Sequence, residues 1–158
     1  MTFSILLSMF ALSLAMSISP GPVNMLVISS GINYGVKKTM PFVSGATIGF
    51  TLLLICVAFG FITVLDRFPS VLSIIEIAGY TFIIYMGYKI ASSSAELSID
   101  EKEMNTLKFH EGFLLQWLNP KAWIACVSGI SMFSSIENSI PFFVIIYFFV
   151  CYASLTFW

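Results

Sequence analysis

Few side chains in this sequence can do chemistry, and most of those that can are set in apolar surroundings. Lys121 follows Asn119 and Pro120 within "QWLNPKAWI", Gln116 to Ile124. Asn24 follows Pro20, Gly21 and Pro22 within "SISPGPVNML", Ser17 to Leu26. Lysine offers a point charge with three donors, and asparagine both donates and accepts, so this set suits a ligand with one anionic and one cationic group. A lysine well inside an apolar run is costly enough to suggest a role. The alternative is that it snorkels to an interface, because its run begins only a few residues earlier. The asparagines also have an alternative, as hydrogen-bonding glue between helices. Glu76 could carry a proton or meet a cationic group, or it could sit at an interface a short way into its run.

The other reactive residues point away from several chemistries. His110, the sole histidine, lies in a hydrophilic stretch and reads as solvated. Cys56, Cys126 and Cys151 are dispersed without CxxC spacing. They form neither a disulfide framework nor a zinc site, and read as small packing residues. No Ser/His or paired-Asp constellation falls in the apolar runs, which argues against an intramembrane hydrolase. A thiol–disulfide carrier would need cysteines beside both proline motifs, and Cys126 stands near only the second. No cofactor and no metal centre are expected.

The proline motifs need a physical reason. Proline removes a backbone donor and clashes with the carbonyl four residues back. In lipid an unpaired backbone group costs several kcal/mol, so such breaks survive only beside protein or a wet cavity. Pro22 suits the first position of a resumed helix, whose amides and positive dipole end would face the break. The plainer reading of both motifs is a pair of proline kinks.

The elements around these motifs are membrane helices. Hydrophobic residues make up 58% of the 158-residue chain and charged ones 9%, against roughly a quarter charged in a soluble domain. Mean hydropathy is +0.97. A pI of 5.7 argues against a nucleic-acid partner, which would select a basic face. No cleavable signal peptide is expected, because no Lys or Arg precedes Lys37.

A spanning helix needs about 20 apolar residues, and five runs qualify: Phe3–Asn33, Met40–Leu65, Val71–Ala91, Gly112–Phe133 and Ile140–Trp158. The first is read as one discontinuous helix. Residues 92–111 form a hydrophilic loop. Lys37, Lys38, Lys89, Lys102 and Lys108 all fall in or beside links on one side. By the positive-inside rule that side is cytoplasmic, with the N-terminus outside.

Three spans begin between Pro20 and Pro120, so the first and fourth cross in opposite directions. Each break leads into a helix ending Ser-Gly-Ile, at Ser30–Ile32 and Ser128–Ile130. The pattern is that of an all-α polytopic transmembrane bundle built as an inverted three-plus-three repeat. The first repeat is residues 1–91, and residues 112–158 form an incomplete second one, whose sixth helix is expected beyond Trp158. Such folds bind substrate near the midplane between the repeats, as secondary transporters do. Gly45 and Gly49 form GxxxG, a close-packing signature, within the bundle or in a homodimer.

Around these residues the sequence resembles a known family. "SPGPVNMLVISSGINYG" followed by "GFLLQWLNPKAW" is similar to the lysine exporter (LysE/RhtB) family of amino-acid exporters, with the look of the bacterial cysteine and O-acetylserine exporters. The Pro-Gly-Pro pattern falls on Pro20, Gly21 and Pro22, and the Asn-Pro-Lys pattern on Asn119, Pro120 and Lys121. Gly35, Gly45, Gly49 and "AGYTFIIYMG" also follow the family, whereas Glu76 stands where a basic or neutral residue is usual. That departure leaves substrate and coupling open. The resemblance implies a bacterial inner-membrane exporter of small amino acids, driven by protons or the membrane potential, with the two motifs at the substrate site and Glu76 a candidate for coupling. A metal-ion transporter of related fold is the rival, although it would want carboxylate or thiolate ligands where this chain has asparagine and a repelling lysine. A non-transporting membrane fragment is the other.

Overall fold

A computed structural model describes residues 2–60, 67, 69–91 and 106–158. These residues form seven helices: α1 (Phe3–Ile18), α2 (Pro22–Tyr34), α3 (Val36–Ala58), α4 (Pro69–Ala91), α5 (Phe109–Trp117), α6 (Pro120–Phe133) and α7 (Ser139–Phe157). Several side chains of α4, Glu76 and Lys89 among them, lie outside the described residues, as does most of the 92–111 stretch.

The breaks fall where the prolines put them. Helix α1 ends before Ser19, Gly21 is extended, and Pro22 opens α2. The two axes meet at 61°. Pro120 opens α6 in the same way, with Asn119 as its N-cap. Gly35 joins α2 to α3 at φ 82°, a left-handed conformation that glycine adopts without steric cost.

Helix α5 starts at Phe109, earlier than hydropathy alone suggested. Glu111 caps this start by accepting from the Lys108 amide at 2.8 Å. Its side chain is buried, as is that of Leu107, whereas His110 is exposed.

Helix α3 is the centre of the bundle. It packs on α2, α5, α6 and α7, while α1 lies along α7 and α4 touches α2 and α5. The GxxxG pair explains how close α5 comes. A Cβ at Gly45 would run into the Phe109 backbone, and one at Gly49 would sit 2.7 Å from the Phe113 carbonyl oxygen. Gly112 answers from α5, where a Cβ would meet the Phe42 carbonyl. The motif therefore serves packing inside the bundle.

By length and apolar composition, α3 and α7 among the described residues can each cross a membrane, and α1 with α2 makes a third if the bent pair is one span. The expected third span falls on α4, 23 residues long, and the expected fourth on α5 and α6, which at 9 and 14 residues are each too short to cross alone. Large apolar side chains such as Leu7, Phe10, Ile124, Ile145 and Phe149 point outward. On a water-facing surface they would be a liability; against acyl chains they are the ordinary covering.

Candidate functional site

The two breaks meet at one small cavity. Its walls include Ser17 from the end of α1, Asn24 from α2, Phe50 from α3, Gln116 from α5, Lys121 from α6 and Tyr147 from α7, with Asn119 between α5 and α6. Of the residues singled out in the sequence, Asn24, Asn119 and Lys121 line it. Pro20, Gly21, Pro22 and Pro120 do not; they shape the backbone that brings the others there. The side chain of Glu76 lies outside the described residues.

Three polar groups in the wall, Asn24, Asn119 and Lys121, are held at helix ends. The last carbonyls of a helix have no intrahelical partner, and both breaks answer this with a side chain reaching backwards. At the first, Asn24 Nδ2 donates to the Ser17 carbonyl at 3.0 Å. At the second, Trp123 Nε1 donates to the Trp117 carbonyl at 2.8 Å. Asn119 works in the other direction. Its Oδ1 accepts from the Lys121 amide at 3.1 Å and caps α6, so one of the amides at this positive helix end is already used.

Lys121 joins the breaks. Its Nζ donates to the Ser19 carbonyl, at the C-terminal end of α1. A cation at the second position of α6 faces the positive end of its own helix, and the negative end of α1 compensates for this. The aliphatic stem of Lys121 lies over Gly21, where a Cβ would be 2.9 Å from its Cδ. With any larger residue at position 21 the end of the lysine side chain would have to shift.

The rest of the wall carries no motif, and reading the sequence missed it. Phe50 and Tyr147 stack across the bundle with ring centroids 4.3 Å apart. Ser17 Oγ and Thr47 Oγ1 approach the Cys151 thiol, and Ser17 also nears the Tyr147 hydroxyl. Neither Ser17 Oγ nor Thr47 Oγ1 completes a hydrogen bond among the described residues, although both are buried. Cys151, read as packing, also faces the cavity, while Cys126 is packing alone. A helical-face count along α7 (Tyr147, Cys151, Ser154, Leu155) is the one signal that could have grouped some of these residues in advance.

The cavity volume is about 30 Å³, room for a very few waters at most. An amino acid is several times larger, so the walls must move apart to admit one. Among the described residues no three His, Cys, Asp or Glu side chains gather as a metal site requires. The donors here are amide, hydroxyl and ammonium groups.

The profile of the LysE type translocators matches residues 14–158, nearly the whole chain. The chain belongs to this family. It is a LysE type translocator, a transporter and not an enzyme, and a multi-pass bacterial membrane protein. Proteins named cysteine/O-acetylserine efflux protein, from Escherichia coli (strain K12) and Shigella sonnei (strain Ss046), are each 28% identical to this translocator over 135 residues. The match covers 84% of this chain and 67% of each relative. No solved structure gives a significant match.

Proposed function

We propose that this translocator exports small neutral amino acids, cysteine and O-acetylserine among them, across the bacterial inner membrane, and that the cavity at the two breaks is its substrate site. The observation that carries this reading is the lysine bridge: a cation from one broken helix, Lys121, bonded to a carbonyl of the other, Ser19, inside a shared polar cavity. A substrate carboxylate is a stronger acceptor for an ammonium group than a neutral carbonyl is. On entering, it would take Lys121 from Ser19 and leave that carbonyl, with the Asn24 and Asn119 amide oxygens, to meet the substrate's own ammonium group. Ser17 Oγ, buried without a partner, would be left for a hydroxyl, ester or thiol on the substrate side chain.

The exchange also supplies a reason to move. With the bridge intact the halves are tied, and the cavity is too small for cargo. With the bridge replaced by substrate, each half holds one end of the same molecule. This is the differential contact that a conformational change requires.

The halves are read as inverted repeats, residues 1–91 and 112–158, joined by a cytoplasmic loop over 92–111, with the N-terminus outside. Reciprocal packing supports this: α3 of the first half lies on α5 of the second, and α7 of the second lies on α1 of the first. The named relatives, which are efflux proteins, support the efflux direction, and the lysines flanking the first and third links support the orientation. In bacteria producing the protein, amino acids accumulating in the medium can be scanned across cysteine, O-acetylserine, threonine, homoserine, leucine and lysine. The expected result is excess cysteine or O-acetylserine over cells without it, and little change in lysine. No excess of any of them would refute the proposal.

A further inference from the structure

A second cavity is stacked beneath the first, and the two share one wall. It measures about 170 Å³ and lies where the end of α2, the start of α3 and the end of α7 meet. Val27 and Gly31, Thr39 and Val43, and Leu155 are among its lining residues. Among the described residues, Leu155 is the one that lines both cavities.

Helix register gives the same arrangement. Along α2, Val23 faces the first cavity and Val27 the second; along α3, Phe50 faces the first and Val43 the second. At 1.5 Å of rise per residue these offsets are about 6 Å and about 10 Å. They point the same way in space because α2 and α3 are antiparallel neighbours. The second cavity therefore lies on the side of the first that leads toward Lys37 and Lys38.

What separates them is thin and apolar. Leu155 is 3% exposed, and Val27 and Val43, which line the second cavity with it, are buried as well. A zwitterion crossing such a layer would lose its hydration without gaining a partner, so the layer holds it back. A leucine side chain makes no hydrogen bond, so turning it aside costs only packing contacts. Three apolar side chains at a constriction can seal it and still open.

We propose that the second cavity is the vestibule through which substrate reaches the polar cavity, and that Leu155 is the gate between them. This rests on the export reading for the side from which cargo arrives, but the gate itself rests only on the two cavities and their shared wall.

Cys151 lines the inner cavity one helical turn before Leu155, and so serves as a native reporter. With Cys56 and Cys126 replaced by alanine, its modification by a charged, membrane-impermeant methanethiosulfonate can be timed in vesicles of either orientation. Leu155→Ala should raise the rate roughly tenfold, the effect of removing about 1.4 kcal/mol from a barrier, and only when reagent meets the face carrying Lys37 and Lys38. Leu155→Phe, which retains bulk, should leave the rate at or below that of the parent. Unchanged labelling in Leu155→Ala would overturn the gate, and so would an equal rise from both faces, which means loosened packing. If the rise is confined to that face but those vesicles prove right-side-out, the gate stands and the export orientation falls.

Discussion

The two breaks are built from similar residues, Pro with Gly or Asn, yet the asparagines face opposite ways. Asn119 precedes α6 and caps it, its oxygen turned toward the Lys121 amide. Asn24 is already inside α2, and its amide group reaches back to the Ser17 carbonyl of the preceding helix. At the second break that backward reach falls to Trp123. The difference is one of register against the helix start. A side-chain oxygen at the N-cap meets the amides ahead of it, whereas a side chain one turn in lies over the end of the helix behind. The breaks are also unequal in charge: the second sends a cation to the first, and no cation returns among the hydrogen bonds described. An asparagine beside a proline thus marks a break, while its offset from the proline sets which helix end it satisfies.

This asymmetry can be tested by substitution. The largest effect belongs to the group that crosses between breaks. Lys121→Ala should reduce efflux by roughly 100-fold or more, the scale of losing a charge-assisted contact worth about 3 kcal/mol, with membrane insertion unchanged by quantitative blotting. Normal efflux from that variant would remove Lys121 from the site. Next comes the backbone. Pro20 and Pro22 changed together to alanine should nearly stop transport by favouring a continuous α1–α2 helix. Pro120→Ala should cost less, because Asn119 and Trp123 still hold the second break; equal losses would show the breaks to be equivalent.

A smaller effect comes from steric displacement. Gly21→Ala places a methyl in the path of the Lys121 stem, 2.9 Å from Cδ, and should lower efflux about tenfold, equivalent to about 1.4 kcal/mol. Serine at position 21 should behave like alanine, since both carry a Cβ. The smallest contrast is in stability. Asn24→Ala leaves the Ser17 carbonyl unpaired in a buried setting, at about 1–3 kcal/mol, whereas Asn119→Ala removes an N-cap at about 1 kcal/mol. Thermal unfolding in detergent should therefore rank Asn24→Ala below Asn119→Ala, and the reverse order would undo the register argument.

Much of this was legible before any coordinates. Pro22 at the first helical position follows from local backbone rules, whereas Asn119, read as a ligand or as glue between helices, proves to be the N-cap of α6. Other features were legible only by half. Gly45 and Gly49 announced a close helix contact, but the partner could have been another chain; Gly112, a lone glycine in sequence, proves to be its counterpart in α5. Glu111 read as part of a solvated loop, and instead it is buried and starts α5. A charge three residues beyond Lys108 can cap a helix as readily as it can meet water, and hydropathy does not distinguish the two.

By itself the sequence determined that the chain lives in lipid, that two of its helices are interrupted, and which few polar residues stand at the interruptions. Those properties come from composition and from bonds between near neighbours, which no distant contact can cancel. Only the tertiary structure decided that the interruptions share a cavity, that Lys121 spans from one to the other, and that Ser17, Phe50, Gln116, Tyr147 and Cys151 complete the wall. Each of these arrives on a different stretch of chain, and their meeting is set by which helix faces pack together. Local spacing carries no record of that choice.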